Sequence, residues 1–145
     1  MALHYFDKHL HEVNGFIEEL ASNLGHPEEK TQTIRLLKAT LHTIRDRIHF
    51  GESLDLISQF PMILKALYVE GWKYHEKPPL DFDDIEGFKN EVKNLQDRMG
   101  EQSFDWPEPT EDLIKIVMSS LQKYISDGQA VHVLSQMPKE VQKLF

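Results

Sequence analysis

Ser58-Gln59-Phe60-Pro61 returns, with one change, as Ser135-Gln136-Met137-Pro138. The shift is constant at 77 positions: Lys38, Ile48, Gly51, Ser58, Gln59, Pro61 and Leu67 recur as Lys115, Ile125, Gly128, Ser135, Gln136, Pro138 and Leu144. Apolar positions between them also correspond, Leu41 with Met118, Ile44 with Leu121, Leu56 with Val133 and Tyr68 with Phe145. Seven identities in the 32 columns that pair 37–68 with 114–145 is several times the roughly one in fifteen to twenty that average composition produces. Upstream the match continues at a shift of 72, with Leu10, Val13, Gly15, Phe16, Glu19 and Leu20 facing Phe82, Ile85, Gly87, Phe88, Glu91 and Val92. The chain therefore reads as two copies of one unit, 5–72 and 81–145, joined by a linker at 73–80. Two copies are too few for an open solenoid, which needs three or more stacked units. They are expected to pack face to face about a pseudo-two-fold axis into a single domain over 1–145.

Helical periodicity fills each copy. Tyr5, Phe6, His9, Leu10, Val13, Phe16, Ile17, Leu20 and Leu24 recur at steps of three and four, predicting a helix closed by Gly25 and Pro27. Gly15 lies inside it; a helical glycine with a counterpart at Gly87 predicts a close neighbour at both. A second helix is predicted from Pro27 or Glu28 to Phe50, with Ile34, Leu37, Leu41, Ile44 and Ile48 as its seam and Gly51 as its stop. Two short helices flank Pro61, and the latter ends at Gly71 with Trp72 folding back. The second copy repeats this plan: a helix from Asp81–Asp84 to Met99 with Gly100 as its stop, one through Tyr124 that Thr110 can cap, and two broken at Pro138. Ser126-Asp127-Gly128-Gln129 has capping-box spacing, with Gln129 able to reach back. No alternating strand pattern competes. The fold class is all-α, two related four-helix units.

The formal charge of −8 argues against nucleic acid or an anionic membrane as partner. No apolar run approaches the roughly 20 residues that span a bilayer. The first residues lack a basic region followed by an apolar block, and the chain has no cysteine. A cytoplasmic protein is expected.

The eight histidines invite a metal reading. His4/His11 and His42/His49 are each seven apart, about 10 Å along a helix and too far for one metal. His42 and Asp46, four apart, read as a surface hydrogen bond. Asp81, Asp83 and Asp84 open like a calcium loop, but the glycine arrives one place late and Ile85 takes a ligand position, so helix capping is the better reading. No catalytic residue, metal or cofactor is expected. Two aromatic groups are the candidate interaction surface. Tyr68, Trp72 and Tyr74, with His75 beside them, form either an exposed patch for a partner protein or a lid over the interface between the copies. Phe104 and Trp106 lie in an acidic, proline-containing loop, where the indole either plugs the core or meets a ligand.

Leu41-His42-Thr43-Ile44-Arg45-Asp46-Arg47-Ile48, Gln59-Phe60-Pro61 and Leu67-Tyr68-Val69-Glu70-Gly71-Trp72 together resemble the shared run of the bacterial domain-of-unknown-function family 2267. The resemblance implies a bacterial, all-helical protein and brings no activity, ligand or catalytic residue with it. Two functional readings follow. One is a non-catalytic protein-interaction or structural module. The alternative is a small-ligand-binding protein, or an enzyme, with a pocket between the copies that draws on Asp, Glu or His side chains distant in sequence.

Overall fold

The apolar stripes of the sequence become the core. The computed structural model describes residues 4–98 and 105–144. These residues form eight α-helices and no strand: α1 (Asp7–Asn23), α2 (Lys30–Arg47), α3 (Phe50–Ile57), α4 (Met62–Val69), α5 (Ile85–Arg98), α6 (Thr110–Leu121), α7 (Asp127–Ser135) and α8 (Lys139–Gln142). Short 3-10 turns at His4–Phe6 and Gln122–Tyr124 precede α1 and follow α6. None of the described helices is long and apolar enough to cross a membrane.

Helix α1 buries Phe16, Ile17, Leu20 and Ala21 and ends as predicted. Gly25 is left-handed at φ 84°, and the N–H groups of Gly25 and His26 return to the carbonyls of Ser22 and Ala21, the double bond of a glycine-terminated helix. Helix α2 is the central element. Leu36, Leu37, Ala39, Leu41 and Ile44 are buried, and so are Thr33, Thr40 and Thr43. The three hydroxyls are satisfied inside the helix, donating to the carbonyls of Glu29, Leu36 and Ala39 four residues back at 2.8–3.0 Å, so their burial leaves no polar group without a partner.

Three local readings need correction. Helix α2 ends at Arg47, and Ile48 and His49 are extended (ψ 162° and 150°), so Gly51 falls within α3 and stops nothing. The turn comes early because Ile48 is a core residue, and an extended backbone there keeps its side chain inside. Thr110 begins α6 but caps nothing: Pro109 holds the cap position and α6 has no side-chain cap. Gly15 has no neighbour within 4 Å of where a Cβ would stand, whereas a Cβ at Gly87 would lie 2.5 Å from that of Phe82. The two glycines align in sequence and differ in space. Asp84 does cap α5, its Oδ1 accepting the Gly87 N–H at 2.8 Å. Met99 and Gly100, the predicted end of that helix, lie outside the described residues.

Helix α1 lies on α2 and α4, as α5 lies on α6 and α8; α3 packs on α4, as α7 packs on α8. Across the middle, α2 meets α5 and α6, α1 meets α6, and α3 meets α7. The linker is anchored: the Leu80 N–H bonds the Asp46 carbonyl at 3.0 Å, and Arg47 Nε bonds the Phe82 carbonyl at 3.2 Å.

Candidate functional site

Polar side chains concentrate where α2 meets the end of α4. The last carbonyls of any helix lack partners within it. Here His42 and Arg45, on α2, supply them. His42 Nε2 bonds the Leu67 carbonyl at 2.7 Å, and Arg45 Nη1 donates to the carbonyls of Tyr68 and Glu70 at 2.9 and 3.0 Å. Arg45 Nε is held by Asp46 Oδ1 at 3.0 Å. His42 and Asp46 are thus not the surface pair their spacing suggested: His42 is buried and spends its Nε2 on α4. Burial pushes the His42 pKa down against the opposing bond to Leu67, with Arg45 and Lys38 adding to the lowering. A carbonyl only accepts, so the proton in this bond sits on Nε2. Tyr68 is fully buried; its hydroxyl and Ser53 Oγ share a 2.7 Å bond, and burial pushes its pKa up. Outside this network Lys38 Nζ pairs with Glu70 at 2.9 Å and lowers the carboxyl pKa.

Above the network lies an aromatic stack. The Trp72 ring stands edge-on to Tyr68 at 5.8 Å, with the Arg45 guanidinium 5.9 Å from its centre. Phe50 packs on Trp72 at 5.0 Å, and Tyr74 meets Phe50 edge-on at 5.2 Å. The candidate residues therefore separate by depth. Tyr68 belongs to the core, Trp72 is half-buried, Phe50 is 40% exposed and Tyr74 69%. His75 is exposed and, with Arg45, Lys73 and Pro79, borders the niche beside Trp72. Phe50 was missed because the sequence placed it at the end of the second helix, when it opens the third and faces Trp72.

The second candidate is a different kind of arrangement. Phe104 lies outside the described residues. The Trp106 ring stacks on His26, 4.0 Å between centres and 4° from parallel, and its Nε1 donates to Glu29 Oε2 at 2.9 Å. His26 is held on both nitrogens, Nδ1 by Glu29 at 3.0 Å and Nε2 by Glu108 at 2.8 Å. Burial works against its charge, but the bonds to Glu108 and then Glu29 prevail and raise its pKa. The Glu29 pKa is lowered by its bonds to Trp106 and His26, and the Glu108 pKa by its bond to His26. The indole covers an imidazolium that staples the turn after α1 to the approach of α6. Only the turn geometry brings His26 there: it is the residue whose N–H closes the end of α1.

A third region lies between the halves. The His49 N–H donates to Gln136 Oε1 at 2.7 Å, and the Ser126 N–H donates to Gln59 Oε1 at 2.6 Å. Donors and acceptors are both 77 apart, so the two bonds are each other's counterpart. Gln129 Nε2 donates to Glu52 Oε2 at 3.0 Å, again across a separation of 77. Ser58 and Ser135 each bond the carbonyl three residues back, at 2.6 and 2.7 Å. The capping box at Ser126 is half made: its Oγ accepts the Gln129 N–H at 3.2 Å, but the Gln129 side chain goes to Glu52 and the Ser126 N–H to Gln59. Between α2, α3, α6 and α7 is a cavity of about 160 Å³, lined by Leu41 and Met118, Ile44 and Leu121, Leu56 and Val133, with Gln122 as its polar side chain. Convergent carboxylates or imidazoles do not line it. Among the described residues no group of three or more His, Asp or Glu is placed to hold a metal ion.

Among curated proteins, none matches the chain. A family model described as "Uncharacterized conserved protein (DUF2267)" matches residues 13–144, which includes both halves and the His42–Arg45 donors together with the α4 end they cap. With so much of its length matched, the chain belongs to the DUF2267 family.

Proposed function

We propose that this protein is a non-catalytic binding module, built of two related four-helix units at 5–72 and 81–145 about a pseudo-two-fold axis, which takes a partner protein on Phe50, Trp72 and Tyr74. The observation that carries the binding reading is the exposed upper half of the aromatic stack, 40% at Phe50 and 69% at Tyr74. Aromatic side chains that are fixed below and open above are the usual anchors of a protein interface. Their base is rigid: Trp72 is pinned by Tyr68 and Arg45, which the α4 carbonyls hold in turn. The pseudo-two-fold reading is supported by the exchanged Gln59 and Gln136 bonds and by the Glu52–Gln129 pair.

Charge selects the kind of partner. The chain is acidic overall, yet Lys73, His75 and Lys77 flank Tyr74 with Glu76 as the one carboxylate among them. The partner is an acidic segment that offers one aromatic or leucine side chain to the stack, steered by the local bases. The test is a binding titration of fluorophore-labelled peptides that set Phe, Leu or Trp among Asp and Glu. Tyr74→Ala touches only the exposed end of the stack and should weaken binding at least tenfold, and added salt should weaken it further. Peptide binding that is indifferent to Tyr74→Ala, or absent altogether, removes this surface as the docking site.

A further inference from the structure

We infer that the cavity between the halves is a binding site for a small apolar group of about six to eight carbon atoms. Its walls come in related pairs, Leu41 with Met118, Ile44 with Leu121 and Leu56 with Val133, so it lies where both copies present the same helix faces. The two copies differ at two positions on its wall. In the first copy Ser53 and Arg45 fill their positions, Ser53 bonded to the Tyr68 hydroxyl and Arg45 to the α4 carbonyls. Their counterparts 77 residues on are Ala130 and Gln122, both on the cavity wall. Alanine for serine and glutamine for arginine put smaller side chains on this wall than the first copy has at the matching positions.

Size and chemistry fix the ligand class. A cavity of about 160 Å³ is close to the roughly 150 Å³ that in an engineered protein stays dry and admits benzene. With Gln122 the one polar side chain among eleven lining residues, a charged or strongly hydrogen-bonding ligand would lose its water without replacement. Entry has a route on the α7 side, since Ala130 and Leu134 are partly exposed and Gln122 is exposed. The occupant is either a free ring compound or the end of an alkyl chain carried by a larger molecule. In both cases it is the hydrocarbon that is recognised, and this site is separate from the aromatic stack at Trp72.

The test is thermal unfolding of the full chain with benzene, toluene or n-octanoate as probe, together with Ala130→Leu. A ligand held only by the folded form at a hundred times its Kd raises the folded-to-unfolded ratio about a hundredfold. A saturable rise in melting temperature is therefore expected with at least one probe. A response to benzene and toluene alone assigns a free ring compound; a response to octanoate alone assigns an alkyl chain. Ala130→Leu should fill the space, melt no lower than the parent, and need at least tenfold more probe for the same rise. Should that variant fold poorly, changes in the methyl NMR signals of Leu41, Ile44 and Leu121 on adding probe locate the site in the parent chain. No saturable response to any probe, or a response that Ala130→Leu leaves intact with those methyl signals unmoved, overturns the inference.

Discussion

The Ser53–Tyr68 bond allows a test of how a buried polar pair contributes to the packing of α3 against α4. Both residues are fully buried and the 2.7 Å bond joins their hydroxyls. At the counterpart positions the sequence has Ala130 and Phe145, so both hydroxyls are absent together. Ser53→Ala strands a buried phenol hydroxyl, and an unsatisfied buried polar group costs about 1–3 kcal/mol. Tyr68→Phe should cost less, because the Ser53 hydroxyl can turn to a carbonyl of its own helix. The double variant leaves no orphan, so it should recover most of the loss, with a coupling energy of about 1 kcal/mol or more. For a chain of this size each kcal/mol moves Tm by about 2–4 °C, which puts Ser53→Ala about 2–12 °C below the parent and the double variant within a few degrees of it. Urea unfolding of the four proteins measures the cycle. If the two single losses simply add, the hydroxyls are not partners.

Two further outcomes follow. Gly15→Ala should stabilise the protein by about 0.5–1 kcal/mol, since nothing stands near the new methyl group and alanine is the better helix former; Gly87→Ala should destabilise it, because Phe82 must move. Equal shifts in thermal melts would contradict the difference in their surroundings. The His26 staple gives a pH dependence of definite sign. His26 has a raised pKa, so its contribution is complete below about pH 6.5 and fades as pH climbs through the raised value, while the lowered Glu29 and Glu108 contribute above about pH 4.5 and fade as pH falls. Stability of the parent relative to His26→Gln should therefore be greatest between about pH 4.5 and 6.5; a difference between their melting curves that does not change with pH would show that the imidazolium holds nothing together.

The sequence carries the helical class and most of the breaks between helices. These depend on local rules: apolar spacing fixes which side of a helix is buried, Gly25 and Gly71 supply the left-handed residues that end α1 and α4, and Pro61 and Pro138 separate the short helices. It could not determine which aligned residues share an environment. Gly15 and Gly87 occupy one column, yet Phe82 crowds only the second. Nor could it find His26 or the buried position of His42, because each depends on partners 82 and 25 residues away. The same holds for the seam: Gln59 and Gln136 are legible as a repeat, but that each accepts a bond from the other half depends on how the faces meet. Periodicity is a property of neighbours along the chain. Burial, protonation and cavity volume are set by groups brought together from far apart, and only the packed structure decides them.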